Sequence, residues 1–193
     1  MKPSLQAKLM RQCPTIADLR DRAQKRLPHI AWEYLSCGTG EEAALSRNLE
    51  SMKGVTLVPR FMRGEIHPQV GVTMLGQAYD APFGVAPVGL CGLMWPRAER
   101  ILATAAARYS IPLCLSTVAA ETPETIGPLA DGMGWFQLYP PRRSELLSEL
   151  LTRARESGFT TLVVTADVPT PGRRERTIRS GLNMPPRITP RFV

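Results

Sequence analysis

Short apolar runs alternate with longer amphipathic segments from residue 81 onward. The runs recur at intervals of roughly 25 residues, a spacing typical of strand–helix units. They are FGVA at 83–86, PLCL at 112–115, WFQL at 135–138 and TLVV at 161–164. Short apolar strands that are each followed by a helix predict a parallel sheet covered by helices. The pattern therefore indicates an α/β fold.

The segments between the runs predict helices that each have one apolar face. The middle helix begins at Thr122-Pro123, a cap position followed by proline at the first helical position. The predicted faces of the first and third helices consist of Ile101, Leu102, Ala105, Ala106 and Tyr109, and of Leu146, Leu147, Leu150, Leu151 and Ala154.

Residues 1–80 predict a separate appendage of helices followed by short strands. Thr15 can cap a helix over residues 16–25, and Asp18 completes a capping box. Helix-forming composition continues at 30–37 and 41–51, and short strands are expected at 55–57, 70–74 and 77–79. The sequence thus divides into this appendage and a barrel-like region over 81–193.

Polar residues follow nearly every predicted strand of the second region, which distinguishes between two α/β architectures. In a TIM barrel the carboxyl ends of the strands converge on the face that holds the active site. A doubly wound nucleotide-binding sheet would carry a GxGxxG turn after its first strand, and the sequence has none there. The residues at the strand ends are Pro87, Val88, Gly89, Ser116, Thr117, Gln137, Tyr139, Thr165 and Asp167.

A complete barrel needs eight strand–helix units, whereas the sequence shows four. Residues 185–193 read as a loop, with no helix to cover the fourth strand. We therefore expect a TIM (β/α)8 barrel fold truncated to about its first four strands, preceded by the helical and short-strand appendage.

The charge and cysteine content exclude several classes of protein. The net charge of +7 has its densest basic cluster at residues 173–191, without interleaved aromatic residues that could stack bases, so nucleic-acid binding is disfavoured. The four cysteines form no CxxC pair and the two histidines stand apart from them, which argues against zinc. With no secretory signal and no apolar run of membrane-spanning length, we expect a reduced, cytoplasmic protein.

The strand-end motifs resemble those of the FMN-dependent 2-hydroxy acid dehydrogenases and oxidases. This family includes glycolate oxidase, lactate dehydrogenases of the flavocytochrome and bacterial types, and mandelate dehydrogenase. The resemblance covers almost the whole chain, and its ordered motifs are APVG at 86–89, LST at 115–117, WFQLY at 135–139, and TADVP at 165–169 followed by GRRE at 172–175. The stretch GLCGLMWP at 89–96 is most similar to the bacterial mandelate and lactate dehydrogenase branch.

The resemblance implies an FMN site on these strand ends. Pro87, Val88 and Gly89 match the turn whose backbone lies along the flavin ring, and a glycine permits such a close approach. Ser116, Gln137 and Thr165 match the set that hydrogen-bonds the flavin, supplying donors and acceptors without a buried net charge.

Three further residues match the family's substrate-binding positions. Tyr34 and Tyr139 correspond to tyrosines that orient the carboxylate and the hydroxyl or carbonyl oxygen of the substrate. Arg174 corresponds to an arginine on the loop after the fourth strand, where a guanidinium can hold a carboxylate in two bonds. Without the resemblance, a packing role for Tyr34 and a solvated position for Arg174 would be favoured.

The catalytic base is missing from this set. In the family it is a histidine in the second half of the barrel, whereas His29 and His67 both precede the first predicted barrel strand. Asp167 is expected to support that base only in an intact relative. The implied activity is FMN-dependent oxidation of an L-2-hydroxy acid, lactate-like or mandelate-like, to the 2-oxo acid, with the chain itself an incomplete and inactive fragment. The alternatives are a non-catalytic remnant with weak or no FMN binding and, less favoured, a basic interaction module.

The resemblance also implies partners. A small 2-hydroxy acid is the expected substrate. For an intact family member, the resemblance also allows association with quinone or peripheral attachment to the inner face of the membrane. The alternative is a purely cytoplasmic location. A half barrel exposes strand edges and an apolar face, so we expect a homo-oligomer.

Overall fold

A computed structural model describes residues 5–166 and 172–182. Its helices and strands, numbered in chain order, are α1 (Leu5–Gln12), α2 (Ile16–Gln24), α3 (His29–Ser36), α4 (Ala43–Lys53), β1 (Val72–Met74), β2 (Gln77–Tyr79), α5 (Cys91–Met94), α6 (Ala98–Arg108), β3 (Leu113–Ser116), α7 (Pro123–Ala130), β4 (Gly134–Leu138), α8 (Ser144–Glu156), β5 (Thr161–Val164) and α9 (Glu175–Ser180). They form two compact units, of which the first contains residues 5–56 and 172–182 and the second residues 57–166.

The first unit is helical. The Thr15 hydroxyl accepts a hydrogen bond from the Asp18 backbone N–H, and the Asp18 carboxylate accepts one from the Thr15 backbone N–H, so the predicted capping box is confirmed. Helix α3 buries Ile30, Ala31 and Trp32 and packs against α9. The segment that follows residue 171 thus belongs to the same compact unit as the N-terminal helices.

The second unit contains the α/β part of the chain. β3 pairs with β4, and β4 pairs with β5, both in parallel. The α/β class and the parallel strands are therefore confirmed. The separate β1–β2 pair is antiparallel and connects through Leu75 and Gly76. Its Gln77 side chain donates to the Gly132 backbone carbonyl, and the hairpin belongs to the second compact unit.

The first apolar run does not form a strand. Residues 83–86 make a single parallel bridge, between Val85 and Leu113, in which the Val85 N–H donates to the Pro112 carbonyl at 2.8 Å. The Cys114 N–H donates in return to the Val85 carbonyl at 2.9 Å. Pro112 and Pro87 have no N–H for the next rungs on either side, so the ladder does not extend. Residues 55–57 also form no strand; the Val55 and Leu57 side chains are exposed.

The core lies between one face of the sheet and helices α6, α7 and α8. Leu113, Leu115, Phe136 and Leu138 supply the sheet side of this cluster. The faces predicted for two helices are correct only in part, because Ile101, Tyr109 and Leu146 are exposed. In α6 the fully buried residues are Ala103 and Ala106, and a helix whose buried positions are alanines can approach its neighbours closely.

Strand alternation places Ser116 and Gln137 on the other face of the sheet. Residues two apart on a strand share a face, and Ser116 pairs with Gln137 in the parallel register. These side chains therefore lie opposite the core residues Leu115 and Phe136. The fold thus places the expected flavin-binding side chains together at the carboxyl ends of adjacent strands.

Candidate flavin and substrate site

A hydrogen-bonded chain of neutral side chains links the ends of the three strands. The Ser116 hydroxyl lies 3.1 Å from the Gln137 carbonyl oxygen Oε1, to which it donates. The Gln137 amide nitrogen Nε2 donates to the Thr165 hydroxyl at 2.9 Å. Ser116 and Gln137 are buried, with 5% and 3% of their surfaces exposed, while Thr165 is half-buried. The sequence prediction that these side chains cluster is confirmed for these three.

Thr117 reinforces this chain and was not predicted as a site residue. Its backbone N–H donates to Gln137 Oε1 at 3.3 Å, and its hydroxyl donates to the backbone carbonyl of Gln137 at 2.5 Å. The same hydroxyl accepts the Tyr139 N–H at 3.0 Å. Its position directly after Ser116 was the available signal, since a second hydroxyl at a strand end can tie neighbouring strands together.

The turn after the first apolar run lies beside these strand ends. The Leu90 N–H donates to the Val118 carbonyl at 2.9 Å, which fixes the backbone next to Gly89 against the loop that follows Ser116. Pro87 is exposed, whereas Val88 and Gly89 are half-buried. A backbone surface of this kind can lie against a flat ring.

Tyr139 follows β4 and has 43% of its surface exposed. Its backbone position is set by Thr117, while its phenol remains accessible to a small molecule. A phenol stays neutral at physiological pH and can donate to a carboxylate or carbonyl oxygen.

The other two predicted substrate residues contact each other in the first unit. The Arg174 guanidinium carbon lies 5.7 Å from the centre of the Tyr34 ring, a cation–π distance. Arg174 is exposed and Tyr34 half-buried. Asp167, the expected support for a base, lies outside the described residues.

A charged network that the sequence did not reveal holds the segments carrying Tyr34 and Arg174. Arg176 Nε donates to Glu33 Oε2 at 2.6 Å and Arg176 Nη1 donates to Glu42 Oε1 at 3.0 Å. The hydrogen bond from Arg176 is the largest cause that lowers the pKa of Glu33, and the Gly38 N–H is the largest cause that lowers that of Glu42. In the sequence, Arg176 is one of several arginines in a basic stretch, so only the fold distinguishes it.

The strand-end groups fit the polar edge of a flavin. Gln137 Nε2 carries two N–H groups and its bond to Thr165 uses one, so an amide donor remains for a ligand. The Thr165 hydroxyl can donate while it accepts from Gln137. The set offers hydrogen-bond donors and acceptors with no charged side chain among them, which matches the uncharged heteroatoms of an isoalloxazine ring.

Comparisons with known proteins identify the family of the chain. The family model described as FMN-dependent dehydrogenase matches residues 23–193. A Mycobacterium tuberculosis (strain ATCC 25618 / H37Rv) protein named "Putative L-lactate dehydrogenase" is 36% identical over 180 residues, which are 93% of this chain and 44% of that protein.

Solved structures give the same result. The monotopic membrane protein (S)-mandelate dehydrogenase superposes with a TM-score of 0.85 at 31% identity, over 91% of this chain and 47% of its own. Mandelate oxidase superposes with a TM-score of 0.81 at 32% identity, over 86% and 48%. The chain thus spans about half the length of the relatives it matches. Because the family model covers most of the chain and the strand ends carry neutral groups suited to a flavin, the chain belongs to the FMN-dependent dehydrogenase family.

Proposed function

We propose that the protein binds FMN with the polar edge of the flavin ring at Ser116, Gln137 and Thr165. The ring then lies along the backbone of residues 87–89. The observation that carries this proposal is the hydrogen-bonded set at three adjacent parallel strand ends, with bonds of 3.1 Å and 2.9 Å on either side of Gln137. A buried amide held on both sides presents its remaining N–H in a fixed direction, which suits recognition of a rigid ligand.

The substrate in this proposal is an L-2-hydroxy acid, lactate-like or mandelate-like, which is oxidised to the 2-oxo acid. Bound flavin supplies the acceptor for two electrons. Arg174 pairs with the substrate carboxylate, and Tyr34 and Tyr139 donate to its oxygen atoms. The contact between Arg174 and Tyr34 supports a shared role, and the exposed phenol of Tyr139 supports access by a small molecule.

The catalytic base in this proposal comes from outside the 193 residues. Oxidation of a hydroxy acid requires a base tuned near neutral pH. His29 and His67 are both exposed, and neither follows a strand of the parallel sheet. General-base catalysis contributes about 10² to 10⁴ in rate, so the chain alone is inactive even when it holds FMN.

Absorbance spectroscopy tests both parts of this proposal. We expect the purified chain to retain or take up FMN and to shift its visible bands, without reduction by lactate or mandelate. A chain that perturbs neither the absorbance nor the fluorescence of FMN contradicts the flavin site and favours a non-catalytic remnant. Turnover of either acid above about 1 per second contradicts the external base.

Self-association is part of the same proposal. Leu162 and Val164 of β5 lie on the same face of the sheet as the buried core residues Phe136 and Leu138 of β4. Unlike those residues, they have 45% and 53% of their surfaces exposed. Two copies that pair through these faces remove apolar surface from water. Sedimentation should show a concentration-dependent dimer, and a monomer at high concentration would contradict the pairing.

The cellular location in this proposal is the cytoplasm, with peripheral attachment to the inner face of the membrane. Residues 5–166 and 172–182 contain no helix long and apolar enough to cross a bilayer. One structural relative is named a monotopic membrane protein, which supports attachment to one membrane face. Co-sedimentation with anionic vesicles tests this attachment.

A further inference from the structure

Glu99 is a buried carboxylate that the flavin and substrate roles do not use. It lies in the first turn of α6 and has 4% of its surface exposed. Taking a carboxylate out of water costs free energy unless both of its oxygens find partners. The surroundings of each oxygen therefore indicate why an acid stands at this position.

The first oxygen, Oε1, joins two loops. It accepts the Gly92 N–H at 3.0 Å and the Ala120 N–H at 2.9 Å. Gly92 lies three residues after Gly89, and Ala120 lies four residues after Ser116. Glu99 thus holds together the two loops that follow these candidate flavin-binding residues.

Space at this junction is limited. A Cβ atom built on Gly92 would lie 2.8 Å from the Ala120 Cβ and 3.2 Å from Glu99 Oε2. The first of these distances is shorter than real Cβ contacts, so the backbone at 92 comes as close as only glycine allows.

The second oxygen, Oε2, is buried and accepts no hydrogen bond from any protein group among the described residues. Glu99 and Ser116 are polar residues in the otherwise mostly apolar lining of a cavity of about 20 Å³, which Cys91 also lines. A cavity above about 10–15 Å³ can hold one water molecule where that water finds at least two polar partners. The burial of the thiol and the nearby carboxylate raise the pKa of Cys91, which leaves it protonated as a weak donor.

We propose that this cavity binds one water molecule that bridges Glu99 Oε2 and the Ser116 hydroxyl, and that Glu99 is a positioning residue for the flavin site. The water donates one hydrogen to each oxygen. Ser116 has two lone pairs and one hydrogen: one lone pair accepts the Val118 N–H, the second accepts the water, and the hydrogen goes to Gln137 Oε1.

Glu99 thereby reinforces, through the water, the direction that the Thr117 N–H already gives to the hydrogen-bonded chain. Because Ser116 donates to Gln137, the amide oxygen of Gln137 points toward Ser116 and its N–H groups point toward Thr165 and the ligand. Only this last step rests on the proposed FMN function. The water bridge itself does not need a flavin.

A high-resolution crystal structure of the full wild-type chain tests the bridge directly. We expect an ordered water within about 3.2 Å of both Glu99 Oε2 and Ser116 Oγ. A cavity without this water, or a protein donor on Oε2, would overturn the proposal. The result does not depend on whether a variant folds or whether FMN binds.

A double-mutant cycle tests the positioning role. Glu99→Gln keeps an oxygen for the Gly92 and Ala120 N–H groups and places an NH₂ group in the cavity. The water must then accept from this group, so its hydrogen bond to a carboxylate oxygen is lost. We expect about a tenfold loss of FMN affinity, the size of one hydrogen bond to a charged group. In a Ser116→Ala background the same change should cost less than about twofold, because the bridge is already gone.

Glu145→Gln is the matched control, since Glu145 is exposed in the first turn of α8. It should leave FMN affinity unchanged in both backgrounds. Equal losses from Glu99→Gln with and without the Ser116 hydroxyl would overturn the positioning role. If the wild-type chain does not bind FMN, the proposed function fails. The double-mutant cycle is then measured by the urea midpoint of unfolding. Additive shifts of this midpoint for the two substitutions would overturn the water bridge alone.

Discussion

The two compact units hold their candidate site residues by opposite means. In the first, the segments that carry Tyr34 and Arg174 are joined by charges, with Arg176 between Glu33 and Glu42. In the second, the buried Gln137 is held by hydroxyl and backbone groups without charge. Charged pairs that are partly exposed are screened by salt and sensitive to pH, whereas a buried neutral network depends on geometry. Tyr34 and Arg174 are therefore expected to respond to salt and pH, whereas Tyr139 and the proposed flavin-binding groups are expected to respond to changes in geometry.

The largest effect should come from Gln137→Ala. The change leaves Ser116, Thr165 and the Thr117 N–H without their partner and opens a cavity, so the free energy of unfolding should fall by about 3 kcal/mol. FMN binding, measured by flavin fluorescence, should be lost. Gln24→Ala, at an exposed residue of α2, is the control and should change neither quantity. Retained FMN affinity in a folded Gln137→Ala chain would contradict a role for the neutral network in binding.

Arg176→Ala should have the next largest effect. It removes the shared partner of the Glu33 and Glu42 carboxylates. We expect the free energy of unfolding, measured in urea, to fall by about 1–2 kcal/mol. Arg179→Ala is the matched control on the same helix, because Arg179 pairs only with Glu175 among the described residues and is more exposed. Similar losses for the two variants would show that the network is no stronger than a surface ion pair.

Acid should weaken the first unit through the same network. The pKa values of Glu33 and Glu42 are lowered from 4.5 in the folded chain, so their stabilisation is complete above pH 4.5 and is lost as the pH falls through the lowered values. Urea midpoints of the wild type should therefore decline below about pH 4.5. The urea midpoint of Arg176→Ala should fall less steeply with pH. If it falls as steeply as that of the wild type, carboxylates other than Glu33 and Glu42 cause the loss of stability.

The smallest effect is expected at the start of α2. Thr15→Ala removes the hydroxyl that accepts the Asp18 N–H, and loss of an N-cap side chain costs about 1 kcal/mol. FMN binding should not change, because the cap lies in the unit that does not hold the neutral network. A Thr15→Ser variant retains the acceptor and should unfold at the wild-type urea midpoint; a midpoint equal to that of the alanine variant would show that the hydroxyl is not the stabilising group.

The sequence predicted the repeating units and the strand-end residues well, because both depend on short-range periodicity. The parallel strands at 113–116, 134–138 and 161–164 lie within two residues of the predicted runs. Residues 83–86 were predicted as a strand and form only one bridge, to Leu113, because Pro112 beside this partner has no N–H to donate to the next rung. Pro112 lies nearly thirty residues further along the chain, where a local pattern at 83–86 cannot register it.

The supporting interactions of the site could not be predicted, because they join residues far apart in sequence. Arg176 and Glu33 are separated by 143 positions, and no local pattern distinguishes this arginine from its neighbours. The buried face of α6 was predicted in part for a related reason. Alanines are fully buried there while Ile101 is exposed, and hydrophobicity alone favours the larger side chain as the core residue.

The neutral network also has a consequence for the order of events during synthesis. Ser116, Gln137 and Thr165 come from consecutive strand–helix units, separated by 21 and 28 positions. Contacts that are close in sequence form early, and domains fold as the chain emerges from the N-terminus. Once residue 166 has left the ribosome, every side chain of this set is available for pairing. The proposed flavin-recognition edge can therefore assemble without any contact to the residues that follow it in the chain.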